Sequence, residues 1–270
     1  MYTDADGNKH YYTDQTDNYL QKNYQLLLNH SFSTAWNLNV ALHYTKGDGY
    51  YEEYKPGSSL VEYGLKPFNP DGTETNESDL VRQKKMDNKF GGGVFSLNYT
   101  GNRLTASLGG GLNRYRGNNF GKVTWVKNYI GNLSPEHEYY RNKSKKTDGN
   151  IYLKANYDLT STLSAYADLQ YRHIDYTIDG VNDKYDWNKN ALRPLAVDKK
   201  FDFFNPKVGL NWNITPNHRL YASFSVAQKE PTRNNYTDGD PDSYPKAEKL
   251  LDYEVGYTFA NPWLTAGANF

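Results

Sequence analysis

The chain has 270 residues with 31 basic and 31 acidic side chains, so its charge gives no reason to expect a nucleic acid or an acidic surface as partner. Only 37% of residues are apolar, yet 16% are aromatic and 26 are tyrosine, too polar for an ordinary soluble core but rich in residues that favour strands and wet interfaces. The absence of cysteine excludes disulfides and thiolate metal sites, and neither a signal segment in MYTDADGNKH nor a window apolar enough for a spanning helix occurs.

Alternation predicts ten strands in five hairpins. The first pairs 20–32 with 36–45 through Ser33, Thr34 and Ala35. In its second arm, WNLNVALHYT, Trp36, Leu38, Val40, Leu42 and Tyr44 share one face, and Asn37, Asn39 and His43 lie on the other. The second hairpin pairs 89–100 with 103–116 through Gly101-Asn102, a Gly-first turn of type II′ character. That register sets Tyr99 against Leu104, Phe95 against Leu108 and Gly93 against Gly110, leaving a window without side chains whose simplest use is a bend. The third joins 148–159 to 163–176 through Thr160, Ser161 and Thr162, with Leu159 against Leu163. The fourth joins 201–214 to 220–227 through TPNHR, and the fifth joins 250–260 to 263–270 through Asn261-Pro262, with Phe259 against Leu264.

Between hairpins lie long polar connections over 46–88, 117–147, 177–200 and 228–249. Connections in compact soluble domains mostly span about 2–6 residues. Here long and short ones alternate without exception, as in a membrane barrel with short periplasmic turns and long extracellular loops. Apolar rows are capped by aromatics, Trp36 with Tyr44 and Phe204 with Trp212. Eight strand steps cover roughly 26 Å, or roughly 20 Å of height at a tilt near 40°, comparable with the ~25 Å apolar band of such barrels. The other face carries Ser96, Asn98, Lys154, Asn156, Asp158, Asp168, Gln170, Arg172, Asp252 and Glu254. The expected fold is therefore all-β, an antiparallel transmembrane barrel segment of about ten meandering strands. A one-sided sheet in a soluble sandwich would share the alternation, but not the strand length or loop rhythm.

No catalytic motif emerges. The six histidines are scattered without metal-site spacing, and neither a nucleophile elbow nor a phosphate-cradling loop occurs. The acidic turns DGDPD (Asp238, Asp240, Asp242) and DADGN (Asp4, Asp6, Asn8) are incomplete as calcium loops, because Ser243 stands where glycine belongs and Lys249 where the bidentate Glu belongs. No enzyme activity, metal site or cofactor is expected. Instead the long connections carry Tyr50, Tyr51, Tyr54, Trp125, Tyr139, Tyr140, Tyr185, Trp187, Arg233 and Tyr236, the stiff, polar-tipped side chains of binding loops. They are equally the residues by which such loops pack on each other. The basic run RNKSKK, Arg141 to Lys146, falls near a strand end, among lipid headgroups or solvent.

From Arg219 the chain reads RLYASFSVAQKEP, then a loop, then PKAEKLLDYEVGYTF. This resembles the barrel signature of TonB-dependent outer-membrane receptors, R-x-Y-x-S-x-S-x-G-F-R-x-P followed by Glu and Y-E-x-G-Y. The matching residues are Arg219, Tyr221, Ser223, Ser225, Pro231, Glu248, Tyr253, Glu254, Gly256 and Tyr257; Ala227, Gln228 and Lys229 depart from it. The motif covers about 40 residues, and the hairpin rhythm extends the resemblance over the chain. It implies residues 1–270 as a central slice of a plugged barrel of twenty-two strands, without plug, signal peptide or C-terminal strand.

What the resemblance implies about function is an outer-membrane active-transport receptor of a Gram-negative bacterium. Its cargo is a scarce bulky nutrient, for which a ferric-siderophore-type iron complex is the leading expectation, and it is energised through TonB. Expected partners are outer-membrane lipid, the TonB complex acting through the plug, and a small-molecule or metal-chelate ligand. Glycan or cobalamin uptake, or a passive porin or adhesin barrel, are the alternatives. Haem is disfavoured because no His lies between Pro231 and Leu250.

Overall fold

The computed structural model describes residues 2–10, 15–66, 69, 71–129, 133 and 137–270. A small hairpin of β1 (Tyr2–Thr3) and β2 (Lys9–His10) precedes ten long strands. These are β3 (Thr16–Ser31), β4 (Trp36–Ser59), β5 (Glu77–Thr100), β6 (Leu104–Val126), β7 (Glu138–Asp158), β8 (Leu163–Asp186), β9 (Ala191–Thr215), β10 (His218–Lys229), β11 (Glu248–Ala260) and β12 (Thr265–Asn269). Each pairs antiparallel with its sequence neighbours, giving one ten-stranded meander whose edges are β3 and β12. A five-residue helix α1 (Arg233–Thr237) and short 3₁₀ turns at Leu60–Tyr63 and Pro241–Ser243 sit in the connections. Among the described residues no helix is long and apolar enough to cross a membrane.

The registers keep the two faces separate across the sheet. On one, Leu28, Val40, Phe95, Gly110, Ile151, Tyr171 and Phe204 follow each other from strand to strand. On the other, Asn37, Asn98, Ser107, Lys154, Asp168, Lys207, Ser225 and Asp252 form an equally continuous polar row. The polar face is internally bonded: the Asn39 and Asn98 amides donate to Ser96 Oγ at 3.3 and 3.2 Å, and Lys154 Nζ lies 3.4 Å from Asp168. The apolar face remains open, with Leu26 66% and Leu42 51% exposed. Aromatics bracket it at both ends. Trp36 meets Tyr99 at 4.8 Å near the short turns, and Tyr24 meets Tyr44 at 6.3 Å eight residues farther on.

The strands outrun the expected boundaries. Residues 46–59 continue β4, 77–88 belong to β5, and 117–126 and 138–147 extend β6 and β7. The expected loop 177–200 is a hairpin whose strands close to a four-residue turn at 187–190. Beyond an apolar band both faces meet water or polar loops, so nothing forces apolar residues onto one side and the period-two signal disappears.

The second hairpin is corrected by two residues. Tyr99 faces Ala106, Phe95 faces Gly110 and Gly93 faces Leu112, and the turn centres on Asn102-Arg103 with Gly101 N donating to Leu104 O at 2.8 Å. Gly101 is not among the residues with positive φ, which a type II′ turn requires of its first central residue. The fifth hairpin shifts likewise: Phe259 faces Ala266 and Asn261 N donates to Leu264 O, placing Pro262-Trp263 at the turn. In the fourth, β10 already begins at His218, with an irregularity between His218 and Arg219. A two-residue slip preserves the faces, so each row keeps its character.

It removes the glycine window, however. The glycines sit opposite large side chains: Gly109 against Tyr152, Gly209 against Tyr166 and Gly256 against Tyr221. A Cβ on Gly256 would stand 2.0 Å from Tyr221 Cε1, so the ring occupies the glycine's own side-chain space. This explains two motif positions at once. Gly256→Val will destabilise the barrel by about 1–3 kcal/mol through overpacking, read as a lower midpoint of urea unfolding in detergent. Tyr221→Ala in the same chain will recover part of that loss; no recovery would contradict the contact.

Candidate functional site

Beyond the outer aromatics, the polar face of β4–β9 forms a vestibule into which two connections fold. On one side Leu60, Tyr63 and Leu65 pack on Leu80, Val123, Tyr139 and Tyr140. Arg82, from β5, donates through Nε to Glu53 at 2.6 Å and through Nη1 to the Tyr63 hydroxyl at 3.3 Å. Tyr63, Tyr139 and Tyr140 follow ring on ring at 4.8 and 5.0 Å. Lys84 pairs with Asp183 and lies 5.9 Å over the Tyr51 ring. A cleft of about 710 Å³ opens here, lined by Lys55, Glu62, Tyr63, Arg82 and Trp187 among others.

On the other side α1 drives Tyr236, 1% exposed, into Ile174, Tyr176, Ile178, Leu195, Val197 and Phe203 on the polar face of β8 and β9. Glu230 anchors the start of this connection. It accepts from Lys146 Nζ at 2.5 Å and from Arg172 Nη1 at 3.1 Å, while Arg172 Nε also donates to Asp148 at 2.9 Å. Arg233 Nη2 donates to Asn142 at 2.7 Å, and Lys184 meets Asp238 at 2.9 Å.

The electrostatics follow from burial and pairing. Burial pushes the Tyr139 and Tyr140 hydroxyls well up, so both are neutral donors. Burial works against the Arg82 charge, yet Tyr139, Tyr63 and Glu53 outweigh it and hold the guanidinium more firmly protonated than usual. Burial would likewise raise the Glu230 carboxyl, but the Lys146 hydrogen bond and the Lys146 and Arg172 charges keep it below the ordinary range. The Tyr139 hydroxyl and Arg233 Nη1 are buried without a hydrogen-bond partner among the described residues. Among the described residues no group of three or more His, Asp or Glu is placed to hold a metal ion.

Of the ten side chains singled out by sequence, Tyr51, Tyr139, Tyr140, Arg233 and Tyr236 are gathered in the vestibule. Tyr185 and Trp187 stack at 4.9 Å at the β8–β9 tip, where Trp187 lines the cleft. Tyr50, Tyr54 and Trp125 follow the register of the opposite face. There Tyr50 lies under Lys85 at 4.7 Å, and the Tyr54 hydroxyl donates to Asp79 at 2.6 Å. Glu53, Arg82, Lys84 and Glu230 were not singled out. Glu53 and Arg82 oppose each other across β4 and β5, which needs the register to be seen, whereas Lys84 and Glu230 meet their opposite charges from strands that are not their neighbours. In the signature, Tyr221, Ser223, Ser225, Glu254 and Gly256 share the polar face, and Tyr253 and Tyr257 the apolar one. Arg219 reaches Asn211 at 3.3 Å, and Glu248 opens β11 opposite Lys229.

A family model described as TonB dependent receptor-like, beta-barrel, matches residues 2–270. The chain belongs to the TonB-dependent receptor β-barrel family. The fold of this receptor barrel is shared by solved structures of low identity. The ferric-catecholate import receptor Fiu of E. coli K12, closed form, matches with TM-score 0.63 and 16% identity over 98% of this chain and 42% of that one. The siderophore receptor PiuA from Acinetobacter baumannii gives 0.58 and 12% over 94% and 40%, and the copper transporter OprC 0.63 and 12% over 92% and 37%. The receptor barrel segment thus spans less than half the length of these structures. No curated protein sequence matches it. The family and these neighbours are transport receptors rather than enzymes, and the family with its barrel fold implies the Gram-negative outer membrane.

Proposed function

We propose that this chain forms one arc of the wall and outer vestibule of an active-transport receptor for a bulky iron chelate of the ferric-siderophore type. Unpaired strand edges are not tolerated in hydrocarbon, so β3 and β12 join further strands of a closed barrel. Energy comes from TonB acting through a plug domain held in the lumen. There Lys154, Asp158, Asp168, Arg172, Asp252 and Glu254 supply hydrogen bonds to plug and water.

The observation that carries this reading is the vestibule cluster, in which Arg82, Lys84 and Arg233 stand among Tyr51, Tyr63, Tyr139 and Tyr140. Guanidinium and ammonium groups beside stiff aromatic faces suit an anionic chelate carrying rings or carboxylates. The ferric catecholate for which Fiu is named is of that chemical kind. The connections that carry Leu60–Tyr63 and Arg233–Thr237 supply the parts that close over the ligand.

The test is uptake of radio-iron by a receptor-deleted strain complemented with the complete receptor, across catecholate and carboxylate chelates. Arg82→Ala will weaken binding of the transported chelate by about tenfold, the scale of a lost charge-assisted hydrogen bond. Deleting both connections will abolish capture. Unchanged affinity in both variants would overturn the assignment, and energy-independent uptake of small solutes would favour a passive pore.

A further inference from the structure

The basic run at Arg141–Lys146 is not a loop but lies within β7, and its residues divide between the faces. Asn142, Ser144 and Lys146 turn to the vestibule, while Lys143 and Lys145 are exposed on the apolar face. Following Lys145 across the sheet reveals a row. Lys22 on β3 is opposite Lys46 on β4, Lys46 is opposite Lys89 on β5, Lys89 opposite Arg116 on β6, and Arg116 opposite Lys145 on β7. Five basic residues on five successive strands are directly paired, all exposed and all on the lipid-side face. Beyond β7 the row continues as Thr177 and Asp198, so the basic stretch ends there.

Like charges directly opposite each other destabilise a sheet. Asp48 and Asp87 occupy the next row outward, yet none of the five takes part in an ion pair within 4.0 Å or a side-chain hydrogen bond among the described residues. The row therefore concentrates positive charge, with Asp48 and Asp87 one row away and no directly paired counter-charge among the described residues. Its height is equally specific, because it lies one row beyond the Tyr24–Tyr44 pair that ends the apolar band. Arg114 stands exposed in that lower row. Beneath it Leu26, Leu42 and Leu112, and then Leu28, Phe95 and Ile151 beside the half-buried Val40, offer an exposed apolar surface to acyl chains. Four inter-strand spacings make the row about 19 Å wide, enough for more than one phosphate.

We propose that the face formed by Lys22, Lys46, Lys89, Arg116 and Lys145 is a docking site for a phosphorylated acyl lipid of the outer leaflet. The phosphates lie along the basic row and the chains along the leucine rows below. A basic residue at such a headgroup surface contributes about fivefold in affinity, and several acting together give a lipid that survives purification.

The experiment uses the complete receptor in phosphatidylcholine nanodiscs with or without diphosphoryl lipid A, followed by native mass spectrometry and titration. The variant combines Lys22→Gln, Lys46→Gln, Lys89→Gln, Arg116→Gln and Lys145→Gln. The milder pair Lys89→Gln and Arg116→Gln is measured beside it, and a heat-modifiable gel shift confirms folding. The expected result is a retained phospholipid adduct in the parent, about tenfold or greater loss in the folded variants, and little binding of dephosphorylated lipid. Inorganic phosphate at millimolar concentration should not compete. Unchanged lipid A binding in the folded pair, equal binding of the dephosphorylated lipid, or displacement by free phosphate would each overturn the proposal.

Discussion

An arginine placed at Val40 will block membrane assembly of the barrel, while the same arginine at Asn39 will be accepted. Val40 lies midway between Trp36 and Tyr44 on the apolar face, flanked by Leu28 and Phe95. At that depth a lipid-facing Arg costs about 2–4 kcal/mol, a large part of a membrane protein's margin. Asn39 is one residue away but opposite Asn29 and Ser96, in a row of amides and hydroxyls where a charge finds partners. The measurement is the folded fraction on insertion into lipid vesicles, read by heat-modifiability. Equal behaviour of Val40→Arg and Asn39→Arg would remove the two-faced assignment on which the rest depends.

Tyr236→Ala will detach the β10–β11 connection from the vestibule without unfolding the wall. Truncating a fully buried aromatic costs about 3–5 kcal/mol in a packed core, and Tyr236 is 1% exposed, with its ring 5.9 Å from Tyr176 and 5.1 Å from Tyr244. What remains to hold the segment is the Glu230 ion pairs and Arg233 on the buried Asn142, which anchor only its start, and the exposed Lys184–Asp238 pair, which contributes little. Limited proteolysis should then cut within 230–247, while the barrel's unfolding midpoint stays near that of the parent. A fall in that midpoint with no new cleavage would show that Tyr236 supports the wall, not the connection.

How much was legible in sequence follows from where the physics constrains the residues. Inside the membrane band one face must be apolar, so Trp36 through Tyr44 and Phe204 through Trp212 declared both their strands and their sides. Outside it that constraint lapses. The run VRQKKM, Val81 to Met86, shows no apolar alternation, although it is regular strand carrying Arg82 and Lys84 on the vestibule side. The same lapse hid the β8–β9 hairpin within an expected loop.

Register was the second blind spot. A glycine beside a turn could begin it or precede it, and the two options differ by two residues without changing either face. Only the three-dimensional pairing shows that Gly109 lies under Tyr152, and that Lys22, Lys46, Lys89, Arg116 and Lys145 form one row. Residues far apart in sequence therefore met in ways no local pattern records. The signature from Arg219 to Tyr257 was readable because both its aromatics and its small residues are fixed by one strand pair.

The most direct test of the account is cysteine accessibility from residue 36 to residue 45, in the complete receptor reconstituted in lipid vesicles. The chain has no cysteine, so each introduced thiol reports alone on its own position in this segment. A water-soluble maleimide should label positions 37, 39, 41, 43 and 45 and spare 38, 40 and 42, with a lipid-phase quencher showing the inverse. Uniform labelling, or protection of the odd positions, would contradict a barrel whose apolar face meets lipid and whose amide row lines its lumen.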